Sequence, residues 1–245
     1  GSRKQREAAI IDRIETILRE GASIIDVGGY SSRPDAAEVS ETEEMQRLEM
    51  ALQPLLQHYP DVVVSVDTFR SSVARQCVEK YGVAMINDIS GGELDERMFD
   101  TVAQLRVPYI MMHMRGTPQT MQQQTGYEDV TADLLKYFSQ KLERLFRLGV
   151  NDVILDPGFG FSKTLTQNYE LMRHLGDFRI LGLPLLVGVS RKSMIYKLLE
   201  TTPEESLNGT TVLHTYALLQ GADILRVHDV RAAKEAIRIV QQLKG

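Results

Sequence analysis

Asp152-Val-Ile-Leu-Asp-Pro-Gly-Phe-Gly-Phe-Ser-Lys163 decides how the chain is read. Val153 to Leu155 are a short apolar run of the kind that forms a buried strand. The run stops at Asp156, a carboxylate at the point where burial should end. Pro157, Gly158 and Gly160 then interrupt regular structure, and Phe159 and Phe161 stand among glycines where no periodic core explains them. A strand that ends in a polar residue and passes through a loop into a helix recurs along the sequence. In a βα-barrel all such strand ends open on one face, the face that carries the chemistry.

Working outward, Tyr109 to Met112 is an apolar run ending at His113. A polar loop of Gln and Thr follows over Arg115 to Glu128 and is expected to be mobile. It leads into an amphipathic helix over 129–148, with Leu134, Phe138, Leu142 and Leu145 at helical spacing. Further upstream, strands are expected at Ser23 to Val27, at Val62 to Val66 before Asp67, and at Val83 to Ile86 before Asn87. Helices are expected over 4–20, from a Ser40/Glu43 capping box to Pro60, through Val73 and Cys77 to Gly82, and through Met98 to Leu105. Downstream come a helix around Tyr169 to Leu175, a strand from Leu185 to Val189, and two helices, the second entered at Thr202-Pro203. A last strand, Ile224 to Val227, precedes a helix capped by Asp229.

Strands alternating with helices mean a parallel sheet, and 245 residues is near the ~250 of one (β/α)8 TIM barrel. The expected fold is therefore α/β, one barrel domain over 1–245. The expected strands number seven where a closed barrel needs eight, so the first strand and its loop are expected to be absent from this chain, with Gly1-Ser2 at the end of that loop or a tag remnant.

A net charge of -5 argues against general nucleic-acid binding, so an anion site has to be built locally from a few cations. The single cysteine, Cys77, lies on an apolar helical face and reads as a buried structural thiol, which excludes an intrachain disulfide. No apolar run approaches membrane-spanning length and no signal peptide is visible, which fits a reducing cytoplasmic setting. The histidines lack metal-like spacing, so no zinc site is expected.

The chemistry sits at the strand ends: Asp26, Asp67, Asn87, His113, Asp156, the Gly188-to-Lys192 turn, and Arg226 with His228. Any one of them serves equally as a helix cap or a satisfied polar residue. Seven at one end of a parallel sheet describe a polar funnel. Asp67, Asn87 and Asp156 suit a flat heterocycle that displays ring N–H and NH₂ groups. Arg33, Arg191, Lys192, Arg226 and His228, with Ser31 and Ser32 nearby, suit phosphate or carboxylate. A heterocycle below and an anion at the rim describe a phosphorylated heterocyclic substrate.

These residues resemble the dihydropteroate synthase family. The resemblance is carried by Asp26-Val-Gly-Gly-Tyr-Ser-Ser-Arg-Pro34, Ser65-Val-Asp-Thr68, Ile86-Asn-Asp88, Met112-His-Met114, Leu155-Asp-Pro-Gly-Phe-Gly-Phe161, Ser190-Arg-Lys-Ser193 and Arg226-Val-His-Asp229, in that order. It implies a cytoplasmic, sulfonamide-sensitive enzyme of folate synthesis, acting as a homodimer through its late helices. That enzyme condenses p-aminobenzoate with 6-hydroxymethyl-7,8-dihydropterin diphosphate by an SN1-like step. By the same analogy Asp67, Asn87, Asp156 and Lys192 hold the pterin, and Ser31, Ser32, Arg33, Arg226 and His228 the diphosphate. Ser32, Arg33, Phe161, Ser190 and Lys192 would frame p-aminobenzoate, with Lys192, Arg226, His228 and Asp156 as the catalytic set. The family's magnesium is bound with the help of an Asn on the first strand, so no metal ligand is named here. Tyr30, Asp35 and Ser162 depart from what many relatives carry. A methyltransferase domain that passes a pterin methyl to a corrinoid would share Asp67, Asn87 and Asp156 but has no need of the cationic cluster. A non-catalytic pterin-binding paralogue is the other alternative.

Overall fold

Five parallel strands lie side by side in chain order: β1 (Ile24–Gly28), β2 (Val63–Asp67), β3 (Met85–Asp88), β4 (Tyr109–Met112) and β5 (Val153–Asp156). They belong to a computed structural model that describes residues 2–32 and 38–244. Two further strands, β6 (Leu186–Val187) and β7 (Ile224–Leu225), pair parallel with each other. A single bridge between Leu155 and Leu185, with the Leu155 N–H donating to the Pro184 carbonyl at 2.9 Å, carries the sheet from β5 into β6. The helices are α1 (Ser2–Arg19), α2 (Glu41–His58), α3 (Ser71–Tyr81), α4 (Met98–Leu105), α5 (Val130–Arg147), α6 (Leu165–Arg173), α7 (Ser193–Tyr196), α8 (Leu207–Leu219) and α9 (Val230–Lys244). Alternation of parallel strands and helices is the (β/α)8 TIM-barrel plan. Among the described residues no backbone ladder joins β7 to β1, and the barrel is open at that seam.

Side chains alternate across a strand, and this period of two builds two cores. Outward-facing residues such as Val66, Ile86, Met111 and Leu155 pack against Leu48, Val73, Phe99 and Phe138 of the helices, all essentially buried. The inward set forms a small plug of Met85, Ile110, Ile154 and Leu186, with Ile24 and Ile224 against it. Two residues further along each strand the inward position falls on Asp26, Asp67, Asn87, Met112, Asp156, Gly188 and Arg226. The registers set Asp67 opposite Asn87 and Met112 opposite Asp156, and step by one pleat at the other two ladders, where Asp26 lies opposite Ser65 and Asn87 opposite Ile110. One pleat therefore turns a dry barrel into a polar mouth.

Side-chain bonds cross the seam. Arg13 of α1 donates to the His228 carbonyl at 2.8 Å, and Arg226 after β7 meets Asp26 of β1 at 2.7 Å. A cavity of about 420 Å³ runs from this seam, between Ile17, Ile24, Leu225 and Val230, up to Asn87, Lys192 and Arg226. That volume lies in the range of small-molecule sites.

Several local expectations shift. The strands expected at Leu185–Val189 and Ile224–Val227 shorten to two residues each, because β7 has no ladder partner on its far edge. The strand expected at Val83–Ile86 slides to Met85–Asp88, which brings Asn87 and Asp88 into the ladder. The helix expected near Leu175 ends at Arg173, and a 3-10 run over Leu175–Leu181 follows. Thr202-Pro203 starts a turn and not α8: the Glu205 N–H folds back to the Thr202 carbonyl at 3.2 Å, and α8 begins only after Ser206. Only half of the Ser40/Glu43 box forms, since Ser40 accepts from the Glu43 N–H while the Glu43 carboxylate pairs with Arg47. The loop after β4 is held down. Met121 sits in a short 3-10 turn, buried against Met112, Met114 and Ile89. Cys77 is fully buried on α3.

Candidate active site

Arg226 organises the first half of the mouth. Its Nε donates to Asp26 Oδ2 at 2.7 Å and its Nη2 to Asp67 Oδ2 at 2.9 Å, and Asn87 Nδ2 donates to Asp26 Oδ2 at 3.1 Å. Four residues from four strand ends thus form one network. The Oδ1 atom of Asp26 is buried and has no hydrogen-bond partner among the described residues. A buried carboxylate oxygen without a donor is costly, so this atom faces the cavity as an acceptor in want of a ligand N–H. The sequence marks Asp26 only as a strand end; its position two residues beyond inward-facing Ile24 is the signal for its place in the site.

Burial raises the Asp67 carboxyl, Arg226 opposes the shift, and Asp26, Asp88 and Glu44 add to it. One guanidinium serves two carboxylates and leaves one negative charge uncompensated, which favours the neutral acid. Burial likewise raises Asp156, against the pull of Lys192 and a hydrogen bond from the Gly158 N–H at 2.8 Å. Lys192 is lowered to about 8 by burial, with Asp156 opposing.

The loop after β5 joins the two halves. Gly158 and Gly160 have φ of +69° and +82°, in the left-handed region that favours glycine. A Cβ on Gly158 would run into the His113 carbonyl, and one on Gly160 would sit 3.3 Å from Lys192 Cδ. Glycine is what lets Lys192 reach through the loop. Its Nζ donates to the Phe159 carbonyl at 2.6 Å and lies 4.7 Å from the Phe161 ring centroid, a cation–π contact. Phe159 is fully buried and anchors the loop, while Phe161 stays half-buried at the mouth. Gly158→Ala adds left-handed strain to overpacking, so the expected loss of stability is roughly 2–4 kcal/mol. Chemical denaturation measures it, and a midpoint unchanged from the parent would contradict the reading.

The second half gathers around Ser190. Its Oγ accepts the His228 N–H at 3.1 Å and lies 3.1 Å from His228 Nδ1. Burial, then the charge of Arg226, lowers His228 below the ordinary histidine value. Arg191 does not join this cluster. At φ +54° its side chain turns away and clasps Asp229 with two bonds of 2.8 Å, which also draws off the carboxylate expected to cap α9. Ser31 and Ser32 follow β1 at the same end of the barrel, exposed and half-buried respectively. Arg33 lies outside the described residues. The structure therefore brings together Asp67, Asn87, Arg226 and Asp26 on one side, and Asp156, Phe161 and Lys192, with Ser190 and His228, on the other.

Among the described residues no group of three or more His, Cys, Asp or Glu side chains could hold a metal ion. The acidic pair at the mouth is already shared with Arg226. These side chains do not fit a resident magnesium.

The match to the model of the pterin binding enzyme family covers residues 1–228. The chain is 42% identical to the dihydropteroate synthase of Escherichia coli K12 over 238 residues, covering 95% of this chain and 83% of that protein. It is 43% identical to the Synechocystis dihydropteroate synthase, covering 95% of this chain and 81% of the other. Among solved structures, Yersinia pestis dihydropteroate synthase in a sulfonamide drug complex aligns with a TM-score of 0.90 at 40% identity, over 96% of this chain and 85% of that one. The Thermus thermophilus enzyme in complex with 4-aminobenzoate aligns with a TM-score of 0.88 at 38% identity, over 95% and 88%. With this mouth on this barrel, the chain belongs to the pterin binding enzyme family, among the dihydropteroate synthases.

Proposed function

We propose that the chain condenses p-aminobenzoate with 6-hydroxymethyl-7,8-dihydropterin diphosphate, giving 7,8-dihydropteroate and pyrophosphate. The observation that carries this reading is the layer of Asp67, Asn87 and Asp156 directly above an apolar plug, with Lys192, Arg226 and His228 at its edge. A pterin offers ring N–H and NH₂ donors to the first three. Its diphosphate meets Arg226, His228, Ser31, Ser32 and Arg33. Lys192, Phe161, Ser190, Ser32 and Arg33 frame the aromatic amine.

The reaction runs in an SN1-like order. The methylene C–O bond breaks, its electron pair leaves with the diphosphate, and positive charge develops on the pterin methylene. Arg226 and His228 favour the growing negative charge, while Asp67 and Asp156 favour the positive one. The amine lone pair then forms the C–N bond, and the amine proton departs. An aligned amine needs no strong base. Magnesium, if supplied with the diphosphate, would lend positive charge to the leaving group beside Arg226 and His228. The methyltransferase reading leaves Arg226 and the Ser190–His228 pair without a task.

The enzyme works as a single pterin-binding domain, paired as a homodimer in the cytoplasm. Val212 and Leu219 of α8 and Ile239 and Leu243 of α9 are exposed apolar residues that favour a partner copy. A buried lone thiol suits a reducing compartment.

Pyrophosphate release tests the reading. It should require p-aminobenzoate, and a sulfonamide should suppress it competitively with the amine. Release indifferent to both would overturn the assignment. Acidity gives a second test. Lys192 loses its proton as pH rises through about 8, so kcat/KM, which reports the free enzyme, should fall through that value. The stability effect has the opposite sign. Between about 8 and the ordinary 10.5 the native state sheds this proton before the unfolded chain does, so this group's contribution to stability rises with pH. A rate flat well beyond that window would contradict a charged Lys192.

A further inference from the structure

Lys163 has no part in the assignment above, yet only 4% of it is exposed. A lysine in a glycine-rich surface loop ordinarily keeps its ammonium in water. Here Nζ lies 3.0 Å from the Gly158 carbonyl, 3.0 Å from the Phe161 carbonyl and 3.1 Å from His113 Nδ1. An ammonium has three N–H donors, and three acceptors meet it. With the ammonium as donor, Nδ1 of His113 is the acceptor, and His113 is itself 2% exposed, with its ring edge-on to Tyr137 at 4.7 Å. Burial pushes both Lys163 and His113 well below their ordinary values, while the charge of Asp156 opposes the shift for Lys163.

The geometry has a consequence for the loop. The Phe161 N–H closes residues 158–161 into a turn by donating to the Gly158 carbonyl at 3.1 Å, and Lys163 Nζ ties that carbonyl to the Phe161 carbonyl from behind. Between them the Phe159 carbonyl accepts from Lys192 Nζ at 2.6 Å and the Gly160 N–H donates to Asn168 Oδ1 at 2.7 Å. Two lysines thus hold the loop from opposite sides, one buried behind it and one at the mouth. The position of the Phe161 ring against Lys192 depends on both. The anchor also ties this loop to β4, because His113 directly follows that strand.

We infer that Lys163 is a positioning residue for the aromatic-amine half of the site, setting the shape of the 158–162 loop, and with it the Phe161–Lys192 contact, without touching substrate. The inference rests on the reading of Phe161 and Lys192 as the frame of p-aminobenzoate. Lys163→Met keeps the stem and removes the charge, leaving the Phe161 carbonyl and the His113 Nδ1 without this donor and the Gly158 carbonyl with only the Phe161 N–H. The expected result is a KM for p-aminobenzoate raised roughly tenfold or more, with the KM for the dihydropterin diphosphate within roughly threefold of the parent. His113→Leu, which leaves the ammonium one acceptor short, should move the same constant in the same direction. His113→Asn, whose side-chain oxygen offers an acceptor in place of Nδ1, should recover most of the loss. A merely structural lysine would lower the melting temperature and leave this selectivity between substrates unmoved. Amide hydrogen exchange over 158–162 reads the loop independently of catalysis and should be faster in Lys163→Met, or in His113→Leu if the methionine variant does not fold. Unchanged exchange, or equal shifts in both KM values, overturns the inference. Should the parent chain make no dihydropteroate, the proposed function fails, while the exchange result still decides whether Lys163 shapes the loop.

Discussion

Lys192→Ala should abolish measurable condensation, lowering kcat/KM by roughly three orders of magnitude or more. The side chain contributes three things together. Its ammonium opposes the upward pull of burial on the Asp156 carboxyl, its Nζ satisfies the Phe159 carbonyl at 2.6 Å, and it sits 4.7 Å from the Phe161 ring centroid. Alanine removes all three. Asp156 then drifts further toward its neutral form, the loop carbonyl loses its donor, and both ligands lose a wall. Initial rates separate this from unfolding when paired with calorimetric binding of a pterin lacking the diphosphate. Such a pterin still meets Asp67 and Asn87 and should retain part of its affinity. A loss below tenfold would remove Lys192 from the centre of the mechanism.

Arg226→Ala should weaken binding of the dihydropterin diphosphate by roughly 30- to 1000-fold, as expected when a buried charged partner is truncated. Its effect on free pterin should be far smaller. The structure adds a complication that can be worked through. Arg226 is the cation between Asp26 and Asp67, so its removal leaves two carboxylates sharing the mouth and raises Asp67 further. A protonated Asp67 still hydrogen-bonds a pterin, so this side effect changes the pH dependence of pterin binding more than its size. Titration calorimetry with both ligands at several pH values distinguishes the two effects. Equal loss for both ligands would mean that Arg226 supports the pterin floor and not the diphosphate.

The strand ends were legible because a period of two, once in register with an apolar plug, dictates what stands above it. Ile24 and Asp26, Met85 and Asn87, Ile154 and Asp156, and Ile224 and Arg226 each repeat the same step from dry to polar. Side-chain direction in turns was not legible. Nothing in Ser190-Arg-Lys-Ser193 tells which of two adjacent cations faces the site. The answer depends on Arg191 adopting φ +54° and finding Asp229, 38 residues further along the chain. Lys163 escaped notice for a related reason, since three of its partners are two backbone carbonyls and a histidine 50 residues away. Strand lengths at β6 and β7 were overread because apolar, β-branched residues extend only as far as a neighbour supplies a ladder.

The most direct test of the account is to incubate this chain with p-aminobenzoate, 6-hydroxymethyl-7,8-dihydropterin diphosphate and magnesium, and to follow the product by mass spectrometry. The account predicts 7,8-dihydropteroate and one pyrophosphate per turnover, both lost when the amine is omitted. Binding of the pterin without any C–N product would contradict it and leave a pterin-binding protein in its place.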